Sequence, residues 1–251
     1  MDDKKVESLA YLLNRLNQGK VTPELRKEAM EMVSNIDPIE LSLAEQKLIE
    51  DGMEPEKLRH LCDVHMEILS DELDKVKNHI FEGHVIDTLI KEHDKIKEFL
   101  FDLEDINFGI QLMKSKDENP MVIERLLEIA NLILDAENHH LREENVLFPE
   151  LEKRGITGPP RIMKMEHDSL RLRKRKLKEA ALKVDEMDFD LFKAEVDEAA
   201  KYIIFNLRDH IYKENHILYP TALDSIADKE VWNDMKVRCD QVGYCSFTPE
   251  R

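Results

Sequence analysis

A set of residues of metal-ligand type occurs twice in this chain, at nearly constant spacing and inside long helical patterns. The first copy runs Glu92-His93-Asp94, then His139-His140-Leu141-Arg142-Glu143, and leads into Val146-Leu147-Phe148-Pro149. The second runs Glu166-His167-Asp168, then His210-Ile211-Tyr212-Lys213-Glu214, and leads into Ile217-Leu218-Tyr219-Pro220. His93 and His167 are 74 residues apart, while His139 and His210, like Glu143 and Glu214, are 71 apart. A two-helix unit has therefore been duplicated with its imidazoles and carboxylates kept. Four histidines and two glutamates held in register point to a pair of metal ions.

The rest of the chain is built to carry helices. Apolar residues recur every three to four positions, and glycine occurs only seven times in 251 residues, which leaves little room for strands. Thr22-Pro23 and Asp37-Pro38 read as helix starts, Gly52 reads as a helix end, and residues 1–80 make a small N-terminal helical domain. After the break at Phe81-Glu82-Gly83-His84, four longer helices are expected at about 85–114, 119–153, 160–185 and 189–222. Short connections between such helices give an up-down-up-down bundle over residues 84–223, and residues 224–251 form a tail with one apolar turn at Val231, Trp232 and Met235.

Positions i and i+4 lie on one face of an α-helix, so His139 points the same way as Glu143, and His210 the same way as Glu214. His93 on the first helix and His167 on the third can reach the same interior level. The metal ligands expected are His93, His139, Glu143, His167, His210 and Glu214, with two histidines on each metal and the two glutamates between the metals. His140 and Glu144 form a competing pair one residue along, but Ile211 and Asn215 stand at their places in the second copy, and the repeat favours His139 and Glu143. By the same register His216 matches Asn145 and is expected on the solvent side. Nitrogen and carboxylate donors without thiolate suit iron or manganese better than a structural zinc. Two iron ions joined by an oxo or hydroxo bridge, with an open position, complete the expected centre.

These motifs, with Gly158-Pro159-Pro160 ahead of Glu166-His167-Asp168, resemble those of the haemerythrin-like (HHE cation-binding) family over residues 84–223. The resemblance implies an all-α, four-helix haemerythrin-like bundle preceded by a small helical domain. Within the family the di-iron proteins that repair iron–sulfur clusters are similar, having four histidines and two bridging glutamates. Oxygen-carrying haemerythrins have a fifth histidine and an aspartate in the last helix, an arrangement this pattern lacks. Upstream, Glu45 to Gly52 and Leu61-Cys62-Asp63-Val64-His65 are similar to a small helical domain of unknown function that precedes haemerythrin-like domains.

The formal net charge of -17 repels phosphate backbones and anionic membranes, so neither nucleic acid nor a membrane is an expected partner. No apolar stretch nears the roughly 20 residues of a membrane span, and three scattered cysteines suit a reducing, cytoplasmic setting. The basic run Arg171 to Lys178 reads as a solvated helix face. His84 is either a helix-start residue or an extra ligand, Cys62 and His65 a packing pair or a metal pair, and Cys239 and Cys245 a candidate redox pair. The functional expectation is a di-iron protein that binds oxygen, nitric oxide or peroxide as a sensor or stress-response module. The alternatives are reduction of nitric oxide or peroxide with electrons from a partner protein, or iron donation in cluster repair. The ligand set does not choose between enzyme and sensor.

Overall fold

The computed structural model describes residues 80–249 together with Glu7, Ser8, Ala10, Tyr11, Ala44, Lys47, Leu48, Asp51 and Gly52. Most of the expected N-terminal helical domain, including Cys62 and His65, lies outside the described residues. Among the described residues the protein is all-α, with no strand. Helix α1 spans Val85–Leu112, α2 Pro120–Asp135, α3 Glu137–Arg142, α4 Phe148–Glu152, α5 Gly158–Leu182, α6 Phe189–Lys213, α7 Tyr219–Ser225 and α8 Lys229–Val242. The run from α2 to α4 and the run from α6 to α7 stand where single long helices are expected.

Local chemistry sets the ends. Gly83 takes φ +82°, a conformation open to glycine, and the next residue caps α1: His84 Nδ1 accepts from the Ile86 amide at 3.2 Å. His84 is thus a helix-start residue. Pro120 opens α2, where its missing amide is no loss, and Asp188 Oδ1 accepts from the amides of Asp190 and Leu191 to start α6. Gly155, with φ +83°, closes α4.

Both long helical runs widen into a π turn at the same place in the repeat, Glu143–Leu147 and Glu214–Leu218. Proline explains both. Pro149 and Pro220 have no amide to return to the carbonyl four residues earlier, at Asn145 and His216, and their rings crowd that carbonyl. Both carbonyls fall inside a π turn, where wider spacing relieves the clash. Phe148-Pro149 and Tyr219-Pro220 therefore do not end the helices. They place a bulge at Glu143 and Glu214.

The described residues group into two compact units, one holding 82–143, 164–211 and 236–249, the other holding 144–163 and 212–235 with 80–81 and the described N-terminal residues. In the first, an apolar core forms from residues spaced three, four and seven apart. It takes Leu100, Leu103 and Ile110 from α1, Leu126, Ile129 and Ile133 from α2, Leu177 from α5, and Phe192, Val196, Ile203 and Leu207 from α6. In the second unit, Arg154 Nε donates to the Ser225 carbonyl at 3.2 Å and Trp232 Nε1 to the Ile226 carbonyl at 2.8 Å. His216, expected at the surface, is buried there and stacks on Tyr212 with ring centroids 4.0 Å apart. The tail carries four turns of helix rather than one, with Trp232, Met235 and Cys239 buried along one stripe.

The core makes a simple stability test. Leu100→Ala removes a fully buried side chain and should cost about 2–5 kcal/mol of unfolding free energy. Phe101→Ala, at a side chain that is 60% exposed, should change it by less than about 0.5 kcal/mol. Urea unfolding followed by circular dichroism compares the two.

Candidate metal centre

The four histidines of the repeat are buried in two pairs. His93 on α1 faces His139 on α3, with Nε2 atoms 3.1 Å apart and ring centroids 4.7 Å apart. His167 on α5 faces His210 on α6 with the same centroid separation of 4.7 Å. Two donors that share one ion, each about 2.1 Å from it and at right angles, sit about 3 Å apart. The first pair already has that spacing.

A carboxylate behind each pair aims it. Glu92 Oε2 lies 2.8 Å from His139 Nδ1, and Glu166 Oε2 lies 2.8 Å from His210 Nδ1. Burial opposes the charge on Glu92, but the hydrogen bond from His139 and the Arg142 guanidinium hold its pKa down at about 2. An ionised carboxylate only accepts, so His139 carries its proton on Nδ1 and turns the Nε2 lone pair towards His93. Glu92 is gripped further by Arg142 Nη2, 2.7 Å from Oε1, and by the Thr248 hydroxyl, which donates to the same oxygen at 2.5 Å. Thr248 closes a turn with Cys245, its amide donating to the Cys245 carbonyl at 3.0 Å, and this turn folds back here. The Asn138 amide donates to the Tyr244 carbonyl, the Arg142 guanidinium lies 4.6 Å over the Tyr244 ring, and Phe247 packs edge-on against Phe99.

Glu143 supplies the link between the pairs. Its Oε2 stands 3.7 Å from His139 Nε2 and 3.4 Å from His167 Nε2, one nitrogen from each pair. It is fully buried. Glu214 is buried too, opens the second π turn, and follows His210 by four residues in the chain. The ligand atoms of Glu143, His167 and His210 likewise fall within 4.8 Å of one another.

His140 is the residue that the repeat argument set aside. It is 1% exposed, and its ring stacks on His167 at 4.0 Å with planes 13° apart. Burial first, then the neighbouring charges of His167 and Lys174, hold its pKa well below the ordinary histidine value. Lys174 itself is buried, so the basic run on α5 is not wholly a solvated face. Arg171 and Arg173 on the same run pair with Glu137 and Glu198. Cys239 and Cys245 are buried free thiols, and burial raises their pKa to about 11 and about 12, so neither is a ready thiolate.

The donors present fit metal cations, being neutral imidazoles and buried carboxylates that converge on common points. Comparison with known families gives the same answer. The model of the family described as "Hemerythrin HHE cation binding domain" matches residues 84–222. The chain belongs to that family. Residues 9–75 match a family of unknown function, DUF438. The comparison with curated proteins finds no match. Cation binding by the haemerythrin-like domain thus joins its helical architecture as a property of this chain, and no helix among the described residues is long and apolar enough to cross a membrane.

Glu92 gives the centre a defined pH response. Its folded pKa lies below the ordinary 4.5, so its stabilisation is complete above about 4.5 and is lost as pH falls towards about 2. Glu92→Gln should destabilise the protein at neutral pH, and the gap from the native chain should close over that acid window. Chemical denaturation at a series of pH values checks this. A gap that stays constant down to pH 2 contradicts it.

Proposed function

We propose that this chain holds two iron ions, one on His93 and His139 and the other on His167 and His210, with Glu143 and Glu214 shared between them. The observation that carries the reading is Glu143, whose single oxygen faces a ring nitrogen from each pair. Glu214 follows from the duplication, since it stands one turn after His210 as Glu143 stands one turn after His139. Iron is favoured by a donor set of imidazole and carboxylate without thiolate. When bound, the two ions would supply redox chemistry and coordination positions for oxygen, nitric oxide or peroxide.

The protein's own groups define how such a centre works. Glu92 and Glu166 keep His139 and His210 in the tautomer that offers Nε2 to a cation. The apolar core beside the pairs keeps bulk water away. Two histidines and two shared carboxylates would offer each ion four protein donors, which would leave room for a small ligand. We assign the chain a sensing or stress-response role. Its support is the path from His139 through Glu92 to Arg142 and Thr248, by which a change in ligation is felt in the terminal segment.

Metal analysis of the anaerobically purified protein should find about two irons per chain, and azide or nitric oxide should shift its optical spectrum. His139→Ala and His210→Ala should each lower the iron content. A single zinc, or two irons whose spectrum ignores both ligands, would contradict the reading. Sustained consumption of nitric oxide or peroxide with a reducing partner would move the role from sensor to enzyme.

A further inference from the structure

The two halves of the duplicated centre are not equivalent, because His140 has no counterpart. Ile211 occupies its place in the second copy, buried and without a donor atom. Adjacent residues on an α-helix point about 100° apart, so α3 presents His139 towards His93 while His140 turns towards α5 and α6. There the ligand atoms of His140, His167 and His210 lie within 4.8 Å of one another. His140 also stands 6.0 Å from His210, centroid to centroid, with the rings almost perpendicular.

We propose that His140 is a third imidazole ligand of the ion held by His167 and His210. The inference rests on the two-iron reading above and adds an asymmetry to it. A packing role alone leaves one observation without a cause: the Nδ1 atom of His140 is buried and has no hydrogen-bond partner. Buried polar atoms are nearly always satisfied, and a lone pair held in an apolar interior is costly unless a donor or a cation meets it. Three donors each about 2.1 Å from one ion sit roughly 3–3.6 Å from one another, so the three imidazoles, whose ligand atoms lie within 4.8 Å of one another, need to close by at most about 1–2 Å to share one. Rotation of His140 about its side-chain bonds, out of its near-parallel stack on His167, supplies movement of that size.

The consequence is regiochemical. The ion on His167 and His210 gains a fifth protein donor, while the ion on His93 and His139 keeps four and becomes the one that accepts an added ligand. The native protein should therefore bind one azide per two irons and should show two resolved Mössbauer doublets when reduced with iron-57. His140→Ala should bind a second azide, its two doublets should move together, and added imidazole should restore both native behaviours. A His140→Ala protein that keeps two irons with unchanged doublets and unchanged azide stoichiometry would overturn the assignment.

A measurement on the native chain removes dependence on the variant's folding. Pulsed electron paramagnetic resonance of the half-reduced protein, with nitrogen-15 in its histidine rings, counts coordinated imidazoles. Five support the assignment and four overturn it. Fewer than two irons per native chain would instead overturn the underlying two-iron reading, so the two failures are distinguishable.

Discussion

The hydrogen bond between a carboxylate and the outer nitrogen of a buried histidine organises this protein. His139 and His210 lie in interior positions where an imidazole can take either tautomer and several rotamers. Glu92 and Glu166, each 2.8 Å from Nδ1, remove that freedom and turn Nε2 inwards. The arrangement carries a cost, because a charged carboxylate has been taken out of water. Arg142 and Thr248 offset it at Glu92, and breaking one partner of such a buried set costs several kcal/mol in order of magnitude. The outer shell is thus as much a determinant of the centre as the inward-facing donors are.

The backbone supports the same end. An uninterrupted α-helix would place Glu143 and Glu214 under strict i, i+4 geometry, with every carbonyl returned to an amide four residues on. Pro149 and Pro220 make that impossible, and the helix answers with a π turn that begins at each glutamate. A π turn inside an α-helix is uncommon and recurs at functional positions. Here its cause is a proline, and each turn begins at a buried carboxylate.

How much of this could be read in advance differs from residue to residue. The helices and their ends were legible because periodicity, Pro120, Asp188 and Gly155 act locally. The histidine pairs were legible because duplication leaves a register, and the structure brings His93 to His139 and His167 to His210. The register hid two things. His140 has no partner in the repeat, so a symmetry argument discards it, although helix rotation carries it to the second pair. Glu92 and Glu166 stood beside their histidines in both motifs, and the signal was their recurrence, but only the crossing of helices showed that each serves the histidine of another helix. His216 was misjudged because its counterpart Asn145 is exposed, while stacking on Tyr212 buries it. Thr248 could not be anticipated at all, since its partner Glu92 is 156 residues away.

The asymmetry of the two halves follows from these exceptions. One pair is backed by a fully buried glutamate gripped by the terminal segment, and the other by a glutamate whose side chain is 12% exposed and by an additional imidazole. A duplicated unit has in this way become a centre with two different sides, one connected to the chain terminus and one enclosed by histidines. The central claim is that two metal ions occupy these two sides together. An anomalous-difference map at the iron edge, from crystals of the anaerobically reconstituted protein, tests it most directly. Two peaks should appear, one beside each histidine pair, at the roughly 3.5–4 Å separation of ions that share carboxylates. One peak, or peaks away from the histidine pairs, would contradict the account.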